Sequence, residues 1–529
     1  MKNTIHISGG MCAALVGASM CLPILSQTAP VKLDPKKMPA IGKVDDRFQS
    51  YNIEMLEVTG GRFWAPYKSH ANAPADTQQA TPGGMPASLY RYRAPINLAD
   101  PRLRKLAAAL GPAYLRVSGT WANTTYFHDS DDPAPAKPPA GFNGVLTRDQ
   151  WRGVIDFSHA VDAKLVTSFA VSQGVRDANE VWTPVEAEKV LTYTRSIGGS
   201  IAAAEMFNEP TFAAIGGAPK GYDAAAYGRD FRAFHAYVKK AAPEIEILGP
   251  GGLGESGALG SMPGMKLVSS EDILKQEGGT DLDAFSYHFY GGVSKRCAIM
   301  GGAAAGTTPD SALSGQWLSR TDHDEAYYAA LRDKFLPGKP LWLTETGETA
   351  CGGNPWASDF IDSFRYLNQL GTLAKHGVQV VIHNTLAASD YALIDETTLT
   401  PRPNYWSAVL WRRLMGTTVL DAGKSDLPGL YLYAHCLRDH AGGIALLAIN
   451  ADKSAAREIA LPAADAQYTL TANNLLDSTV MLNGVELKLI PTGDLPSLDG
   501  AQHKAGTVTL SPTSITFFAI PGAHNRACR

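Results

Sequence analysis

The chain has 529 residues, with 47 Lys and Arg against 51 Asp and Glu, which gives a net charge of −4. This balance excludes a strongly basic nucleic-acid-binding protein. Hydrophobic residues make up 45% of the chain and charged residues 19%, values that exclude a disordered protein and predict a globular one. The length suits one large α/β barrel with an appended domain.

The first element in chain order is a predicted secretory signal peptide over residues 1–29, with a mostly apolar run from Met11 to Leu25. That run holds about 15 residues, fewer than the roughly 20 of a membrane-spanning helix, so a permanent anchor is the weaker interpretation. A lipoprotein site at Cys21 is less favoured, because Met20 before it is large. No later segment resembles a membrane span, and we expect an exported protein, periplasmic or extracellular.

Four cysteines remain after this segment: Cys297, Cys351, Cys436 and Cys528. An even number in an exported protein permits two disulfides, and buried free thiols are the alternative. The chain has no Cys-x-x-Cys motif and no Cys/His cluster, so we expect no zinc site.

A Pro- and Lys-rich segment, residues 30–47, is predicted to form an N-terminal arm or to contribute a strand to the C-terminal sandwich. From residue 48 to 416, short β-rich runs alternate with longer amphipathic stretches. Eight strands that alternate with helices are the pattern of a parallel (β/α)8 TIM barrel. The predicted strands are Phe48–Met55, Ala113–Gly119, Lys164–Val171, Ile201–Pro210, Ile245–Pro250, Leu282–Tyr290, Pro340–Thr346 and Val378–Thr385.

Apolar residues recur every three or four positions between these runs and predict helices. Thr183-Pro184-Val185-Glu186 has the layout of a capping box. Long loops at 66–95 and 127–146 are expected at the barrel rim. The helical stretches include Gln150–Ala163, Pro184–Ile197, Ala224–Ala242 and Asp359–His376.

After residue 416 the pattern changes to short β-type runs separated by Gly, Pro, Asp and Asn. This pattern is typical of a β-sandwich, which we assign to residues 417–529. The runs are Leu430–Cys436, Gly443–Asn450, Arg457–Leu461, Tyr468–Ala472 and Thr507–Ile520.

Glu209 and Glu345 lie at the carboxyl ends of predicted strands four and seven. Catalytic groups of such barrels lie at the carboxyl ends of the strands, so these two can face each other across a sugar. A retaining glycosidase needs two carboxyls about 5–5.5 Å apart, one as nucleophile and one as acid and then base. Charge on Glu345 would keep Glu209 protonated, which favours Glu345 as nucleophile and Glu209 as acid/base.

Neighbouring residues fit these roles. Pro210 biases Glu209 away from the helical region, so we expect the acid on extended backbone at the strand tip. Asn208 offers an amide for the sugar 2-OH. Glu205 and Glu348 are competing carboxylates, the first expected to be structural and the second to lie in a loop.

The sequence resembles glycoside hydrolase family 79, the heparanase and β-glucuronidase family, from about Phe48 to Phe518. The resemblance implies Glu209 as acid/base and Glu345 as nucleophile. The motifs that carry it are Leu103-Arg104-Lys105-Leu106, Gly111-Pro112-Ala113-Tyr114-Leu115-Arg116, Phe207-Asn208-Glu209-Pro210, Trp342-Leu343-Thr344-Glu345-Thr346, Tyr391-Ala392-Leu393-Ile394-Asp395 and Pro403-Asn404-Tyr405-Trp406.

The same resemblance implies further substrate contacts after the strands, at Glu54, Thr120, Asn123, His288, Tyr290 and Tyr391. Family members bind the uronate carboxylate with a Tyr-Gly-Gly turn after the nucleophile. Here Cys351 takes the tyrosine's place, and Gly352 and Gly353 remain as a possible backbone cradle for that carboxylate.

The resemblance also bears on the cysteines. Cys436 and Cys528 resemble the disulfide that ties the last strand of the heparanase β-domain. Cys351 can pair with Cys297, which follows strand six on the neighbouring rim.

The predicted activity is removal of β-linked glucuronic acid from glycans or glycosaminoglycans. The chain has no dense basic run, so terminal (exo) cleavage is favoured over heparanase-like internal (endo) cleavage. A transglycosylase with the same residues and, more distantly, a non-catalytic polysaccharide-binding barrel remain alternatives. The mechanism calls for a saccharide substrate and for neither a metal nor an organic cofactor, and the sequence leaves the oligomeric state open.

Overall fold

The computed structural model describes Met1 and residues 29–67, 85–257, 267–298 and 307–529. The predicted signal peptide, with Cys21, therefore lies almost wholly outside the described residues. Eight parallel strands close into a barrel, and the eighth pairs with the first. The predicted (β/α)8 fold is confirmed, with strands Gln49–Glu54, Ala113–Ser118, Ala163–Ser168, Ile201–Glu205, Glu246–Gly252, Ala284–Tyr290, Leu341–Gly347 and Val380–His383.

The barrel interior changes from apolar to polar along the strands. Side chains two residues apart share a face of a strand, so Tyr114 and Arg116 both point inward, as do Trp342 and Thr344. The first of each pair belongs to an apolar cluster inside the barrel. The second lies one layer nearer the carboxyl ends, where polar side chains meet and are buried.

Ten helices lie in the described part of the chain. Four of them match predicted helices, with ends that differ by at most three residues, because helix ends depend on local capping. Their bounds are Met55–Thr59, Pro101–Ala108, Arg148–Ala160, Val185–Ser196, Ala224–Ala241, Ser270–Leu274, Gly315–Leu318, Arg320–Phe335, Phe360–Lys375 and Pro403–Leu414.

The predicted capping box at residues 183–186 is wrong. The hydroxyl of Thr183 donates to the carbonyl of Val175, at 3.0 Å, and not to the helix. The carboxylate of Glu186 accepts from the backbone N–H of Phe127 and from Lys189. Tertiary partners have therefore taken both side chains that the local pattern assigned to the cap.

The C-terminal residues contribute ten strands and the N-terminal arm two to a nine-stranded and a three-stranded sheet, which fit the predicted β-sandwich. The predicted run Thr507–Ile520 is two strands in different sheets, because Pro512 and the left-handed Thr513 turn the chain between them. The strands are Met415–Leu420, Leu430–Leu437, Ile444–Asn450, Arg457–Leu461, Asp465–Thr471, Met481–Leu482, Val485–Glu486, Ala501–His503, Gly506–Leu510 and Ser514–Ile520.

The N-terminal arm belongs to these sheets. Its strand Val31–Lys32 runs parallel to Arg457–Leu461, and its strand Ala40–Lys43 runs antiparallel to Met415–Leu420. Asn525 fastens the segment between the two strands by donating to two arm carbonyls.

Two small sheets and two disulfides complete the fold. A hairpin joins Gly61–Trp64 to Tyr90–Arg93, and Thr125–His128 pairs with Gly144–Thr147. Disulfides link Cys297 to Cys351 and Cys436 to Cys528. Within the described residues, no helix is both long and apolar enough to cross a membrane.

Candidate active site

The carboxylates of Glu209 and Glu345 meet at the carboxyl end of the barrel, and an oxygen of one lies within 4.8 Å of an oxygen of the other. Glu345 belongs to the seventh strand. The fourth strand ends at Glu205, so the expectation that it extends to Pro210 with Glu209 on extended backbone is wrong. Glu209 has φ +52° and ψ 63°, in the left-handed region. Pro210 disfavours the right-handed helical conformation at Glu209, the residue before it. The short turn Pro210–Phe212 holds Glu209 in the left-handed conformation.

Arg116 lies at the centre of the site and is fully buried. Its guanidinium donates to Glu345 Oε2 at 2.7 Å, to Glu205 Oε2 at 2.9 Å and to Asn208 Oδ1 at 2.7 Å. A planar guanidinium with five N–H groups is suited to such divergent contacts. Arg116 therefore connects the end of strand seven with strand four and the loop after it.

Glu205 is the structural carboxylate of the site. It accepts from Ser286 and Thr344 as well as from Arg116. Burial alone would raise the pKa of Glu205, but the charge of Arg116, together with the effects of His288 and the hydrogen bonds from Arg116 and Ser286, outweighs it and the pKa is lowered. Glu348 lies beyond the seventh strand, bonded to Asn354, and burial raises its pKa to about 7.

Both oxygens of Glu345 are held. Tyr290 donates to Oε1 at 2.7 Å, opposite the contact from Arg116 to Oε2. Asn384, at the end of strand eight, donates to the hydroxyls of Tyr290 and Tyr391 and to Glu54 Oε1, at 2.8, 3.2 and 3.1 Å. The carboxylate of Glu345 is therefore fixed before a substrate arrives.

Glu54 is buried beside this network. Burial and then the charge of Glu345 raise its pKa well above the ordinary value. Its Oε2 atom has no hydrogen-bond partner among the described residues and lies against Gly119. Gly119 has φ +94°, and a Cβ there would overlap Glu54, so this position requires glycine.

His288 connects Arg116 to Glu209. Its Nε2 lies 3.3 Å from an Arg116 nitrogen, which can only donate, and its Nδ1 lies 3.0 Å from Glu209 Oε1. Nε2 must therefore accept, and the ring proton is on Nδ1, pointing to Glu209.

The pKa of Glu209 is raised. Burial is the largest cause, and the charge of Glu345 adds to it. The hydrogen bond from His288 opposes both, because it stabilises the ionised carboxylate. Glu209 thus favours the protonated form beside an ion-paired Glu345.

Asn123 and Asn208 have different surroundings. The side-chain amide of Asn123 bonds to backbone atoms. Its oxygen accepts from the N–H of Asn208, and its nitrogen donates to the carbonyls of Asn208 and Gly216. Asn123 therefore positions Asn208 and does not line the pocket. The Nδ2 atom of Asn208 is buried without a partner among the described residues and borders the pocket.

The two glycines expected to cradle a carboxylate lie in a turn. Gly353 donates its N–H to the carbonyl of Thr349 at 3.2 Å, and Gly352 accepts from Ser389 and Asp390. Cys351, not either glycine, lines the pocket. The positive φ values of both glycines serve this turn.

The pocket over the two carboxylates has a volume of about 120 Å³. Thr120 and Tyr391, two of the expected substrate contacts, line it, whereas His288 is buried and is not among the lining residues. Its described lining is Glu54, Trp64, Met85, Thr120, Trp121, Asn208, Glu209, Phe212, Ile215, Gly216, Leu253, Tyr290, Val293, Glu345, Ala350, Cys351, Asn384 and Tyr391.

Sequence reasoning missed Arg116, Asn384 and the aromatic rim. Arg116 stands between Leu115 and Val117 on a buried strand, where a charge needs a partner, and this was its signal. Asn384 falls within the predicted eighth strand, near its carboxyl end. Trp64 and Trp121 lie in rim segments, and nothing in their local sequence indicates that they meet.

Glu209, His288 and Glu345 place ligand atoms within 4.8 Å of one another, a spacing that a metal ion could bridge. The guanidinium of Arg116 already contacts Glu345 in that space. Positive charge is therefore supplied by the protein, and these residues fit a metal ion poorly.

The known proteins to which the chain is similar are heparanase-like proteins and glucuronidases. No protein-family model matches the chain. Heparanase-like protein 1 of Arabidopsis thaliana is 26% identical over 490 residues, 82% of this chain and 86% of that one. The hyaluronoglucuronidase of Hirudo nipponia is 27% identical over 82% of this chain and 92% of its own. Baicalin-β-D-glucuronidase of Scutellaria baicalensis is 33% identical over 41% of this chain and 44% of its own.

Solved structures share the fold. A GH51 arabinofuranosidase from Xanthomonas axonopodis pv. citri aligns with a TM-score of 0.60 and 18% identity over 93% of this chain and 99% of its own. A 4-O-α-L-rhamnosyl-β-D-glucuronidase from Fusarium oxysporum aligns with a TM-score of 0.62 and 13% identity over 93% and 100%.

Fold, site and relatives together define a glycosidase. The resemblance predicted from the sequence is confirmed. The chain is related over most of its length to the heparanase and β-glucuronidase family, glycoside hydrolase family 79.

Proposed function

We propose that the protein is a retaining exo-β-glucuronidase, with Glu345 as nucleophile and Glu209 as acid/base. One observation carries the proposal: the two carboxylates approach within 4.8 Å but have opposite surroundings. This separation suits retention, whereas inversion needs about 6.5–9.5 Å to admit a water. Glu345 pairs with Arg116, while burial and then the charge of Glu345 raise the pKa of Glu209.

The first step forms a covalent intermediate. The carboxylate of Glu345 attacks C1 of the glucuronic acid while the bond from C1 to the leaving oxygen breaks. The proton of Glu209 moves to that oxygen, so the leaving group departs as a neutral alcohol. The contacts from Arg116 and Tyr290 hold the attacking carboxylate in place.

The second step returns the enzyme to its starting state. Once Glu345 is esterified, its charge no longer raises the pKa of Glu209, which becomes the base. Glu209 takes a proton from water, the oxygen of that water bonds to C1, and the bond from C1 to Glu345 breaks. The proton on Nδ1 of His288 stabilises Glu209 while it is ionised.

Polar groups around the two glutamates supply the sugar contacts. The unpaired Nδ2 of Asn208 suits the sugar 2-OH. The hydroxyl of Tyr391 accepts from Asn384, and burial raises its pKa well above the ordinary value, so it can donate to the uronate carboxylate. Glu54 and Thr120 border the same space and suit the remaining hydroxyls.

Terminal cleavage is favoured over internal cleavage by the charge of the pocket. Among the described residues that line it, none is Lys or Arg. A cleft that binds a sulfated chain on both sides of the scissile bond needs Lys or Arg side chains. Endo-cleavage remains the second candidate, because the relatives include heparanases and a hyaluronoglucuronidase.

We also propose export, which the two disulfides support, because such bonds persist in oxidising compartments. The predicted signal peptide over residues 1–29 would direct it. The barrel over residues 48–416 would carry the activity, and the β-sandwich over 417–529, with the arm of residues 30–47, would support it.

The test is product analysis by mass spectrometry with an aryl β-glucuronide and a heparan sulfate oligosaccharide. Wild type is expected to release free glucuronic acid, and its first-formed anomer, followed by NMR, is expected to be β. Glu345→Gln should lose this activity, while the control Glu180→Gln, on an exposed loop, should keep it.

Internal fragments from the oligosaccharide would replace the proposal with endo-cleavage, and a first-formed α anomer would refute retention. Glucuronic acid transferred to an added sugar instead of to water would indicate a transglycosylase. Activity unaffected by Glu345→Gln would remove the nucleophile assignment.

A further inference from the structure

The catalytic pocket is lined by two kinds of side chain. The polar ones are those of Glu54, Thr120, Asn208, Glu209, Tyr290, Glu345, Asn384 and Tyr391. The apolar ones, which we call the apolar wall, are those of Trp64, Met85, Trp121, Phe212, Ile215, Leu253, Val293, Ala350 and Cys351.

Part of this apolar wall comes directly after the proposed acid in the chain. Phe212 ends the short turn that begins just after Glu209, and Ile215 lies three residues later. Leu253 comes just after the fifth strand, the neighbour of the fourth in the barrel. An acid that protonates the leaving oxygen must lie on the side of the leaving group. The aglycone, which is the leaving group of the substrate, therefore lies against Phe212, Ile215 and Leu253.

Aromatic rings form another part of the wall. Trp64 stacks on Tyr90 with ring centroids 4.6 Å apart, and Trp121 meets the edge of Trp64 at 6.4 Å. Phe63 packs against Trp121 at 5.1 Å. These contacts hold both tryptophans, which are partly exposed at the pocket. Rigid aromatic faces bind apolar and aromatic groups at low entropic cost.

The charges of the described lining residues disfavour a highly anionic leaving group. The described lining contains three carboxylates, Glu54, Glu209 and Glu345, and no Lys or Arg. Arg116 lies beneath them and is used by Glu205 and Glu345. Among the described lining residues, a sulfated or carboxylated sugar in the aglycone position would meet apolar side chains and no Lys or Arg, at a high desolvation cost.

We infer that the aglycone site selects β-glucuronides of apolar alcohols and phenols over glycosaminoglycan chains. This inference rests on the proposed glucuronidase function and names its substrate class. It differs from the glycan leaving group expected from the sequence. The apolar wall, not a set of hydrogen bonds, would provide the selectivity.

A homologous series of alkyl β-glucuronides, from methyl to hexyl, tests the inference. These alcohols have nearly the same acidity, so the series separates burial of the aglycone from leaving-group chemistry. Each buried methylene is worth about fourfold, so the five extra methylenes should raise kcat/KM for hexyl β-glucuronide over that for the methyl compound by on the order of 1,000-fold. A hyaluronan tetrasaccharide with a terminal glucuronic acid should be a poorer substrate than the hexyl compound.

Variants of the wall give a second measurement. Ile215→Gln and Leu253→Gln should each lower the hexyl-to-methyl ratio of kcat/KM by about 5- to 10-fold, because they place an amide against the alkyl chain. The matched control is Val185→Gln, at an exposed helix position outside the pocket, which should leave the ratio unchanged.

The outcomes separate the two proposals. Release of glucuronic acid from all substrates with a flat alkyl series, or a preference for the hyaluronan fragment, would overturn the inference and leave the glucuronidase function standing. No release from any glucuronide, methyl β-glucuronide included, would overturn both.

Discussion

Arg116 and Glu345 form a buried ion pair 2.7 Å long between the second and the seventh barrel strands, and Glu205 holds the guanidinium from its other side. The pair fixes one oxygen of the proposed nucleophile, and Tyr290 fixes the other. Nucleophile geometry therefore depends on a residue that does not line the pocket.

Replacement of Arg116 by lysine tests this dependence. Lysine keeps the charge but loses the planar fork, so it cannot reach Glu205, Asn208 and Glu345 together. We expect Arg116→Lys to lower kcat by about 100-fold and the free energy of unfolding by about 3 kcal/mol, because the buried Glu205 loses its guanidinium ion-pair partner. Steady-state kinetics and urea unfolding measure the two effects.

The matched control is Arg195→Lys, in an exposed pair with Glu244. It should change neither quantity, because exposed ion pairs contribute little. Arg116→Lys with wild-type kcat would show that Glu345 is positioned without the ion pair.

The pH profile depends on His288. Its Nδ1–H bond to Glu209 lowers the pKa of Glu209, against burial and the charge of Glu345. The acid must be protonated, so activity falls as pH rises through this pKa. His288→Phe removes the bond, raises the pKa of Glu209 and should shift the basic limb of kcat/KM upward by about 1 pH unit.

The control for this shift is His376→Phe. His376 bonds Glu325 outside the barrel, so its loss should leave the profile in place. A basic limb that moves to lower pH in His288→Phe would contradict the assigned direction of the hydrogen bond.

The two disulfides are expected to contribute differently. Cys297–Cys351 joins the loops after strands six and seven, and Cys351 lines the pocket, so Cys297→Ala with Cys351→Ala should raise KM several-fold. Cys436–Cys528 lies in the C-terminal sheets, so its removal should leave KM unchanged. The Cys436–Cys528 disulfide closes a loop of 92 residues and should stabilise the fold by about 4–5 kcal/mol, because it lowers the entropy of the unfolded state.

Kinetics at 25 °C and urea unfolding of both double variants check this contrast. Equal effects of the two double variants on KM would show that the rim disulfide has no special relation to the pocket.

Asp324 predicts a pH-dependent loss of stability. It is buried on the helix Arg320–Phe335, and burial raises its pKa to about 8, while a bond from Ser256 opposes the rise. The unfolded carboxyl ionises near pH 4, so between about pH 4 and pH 8 the folded state holds the extra proton. The free energy of unfolding therefore falls as pH rises across this window.

Asp324→Asn removes that titration. The variant should be more stable than wild type by about 2 kcal/mol at pH 8 and should differ little at pH 4.5, as measured by urea unfolding. The exposed Asp333→Asn, on the same helix, is the control and should show no such dependence on pH. An equal effect of Asp324→Asn at both pH values would mean that Asp324 does not titrate in this window.

The sequence alone was sufficient to predict the barrel. All eight strands are found at the predicted places, because the alternation of β-rich and amphipathic segments repeats locally. The end of strand four was predicted wrongly, since the left-handed turn at Glu209 depends on the residues after Pro210 and on tertiary packing. The pairing of Glu209 with Glu345 could be anticipated because both positions result from barrel geometry.

The hydrogen-bond network could not be predicted in the same way. Arg116 contacts carboxylates 89 and 229 residues away in the chain, and no local pattern specifies such partners. Asn123 and Gly353 have the expected residue types, yet their polar groups bond to backbone atoms. The residue type shows which hydrogen bonds a side chain or backbone group can form. Only the folded structure shows which partners it has.

The N-terminal arm has a consequence for the order of events during synthesis. Residues 31–32 and 40–43 pair with strands that begin at residues 457 and 415, so the arm leaves the ribosome hundreds of residues before its partners exist. The barrel strands are complete by residue 383. The nascent chain can therefore close its catalytic barrel while its earliest segment is still unpaired, and the fold is locked only when the last strands arrive.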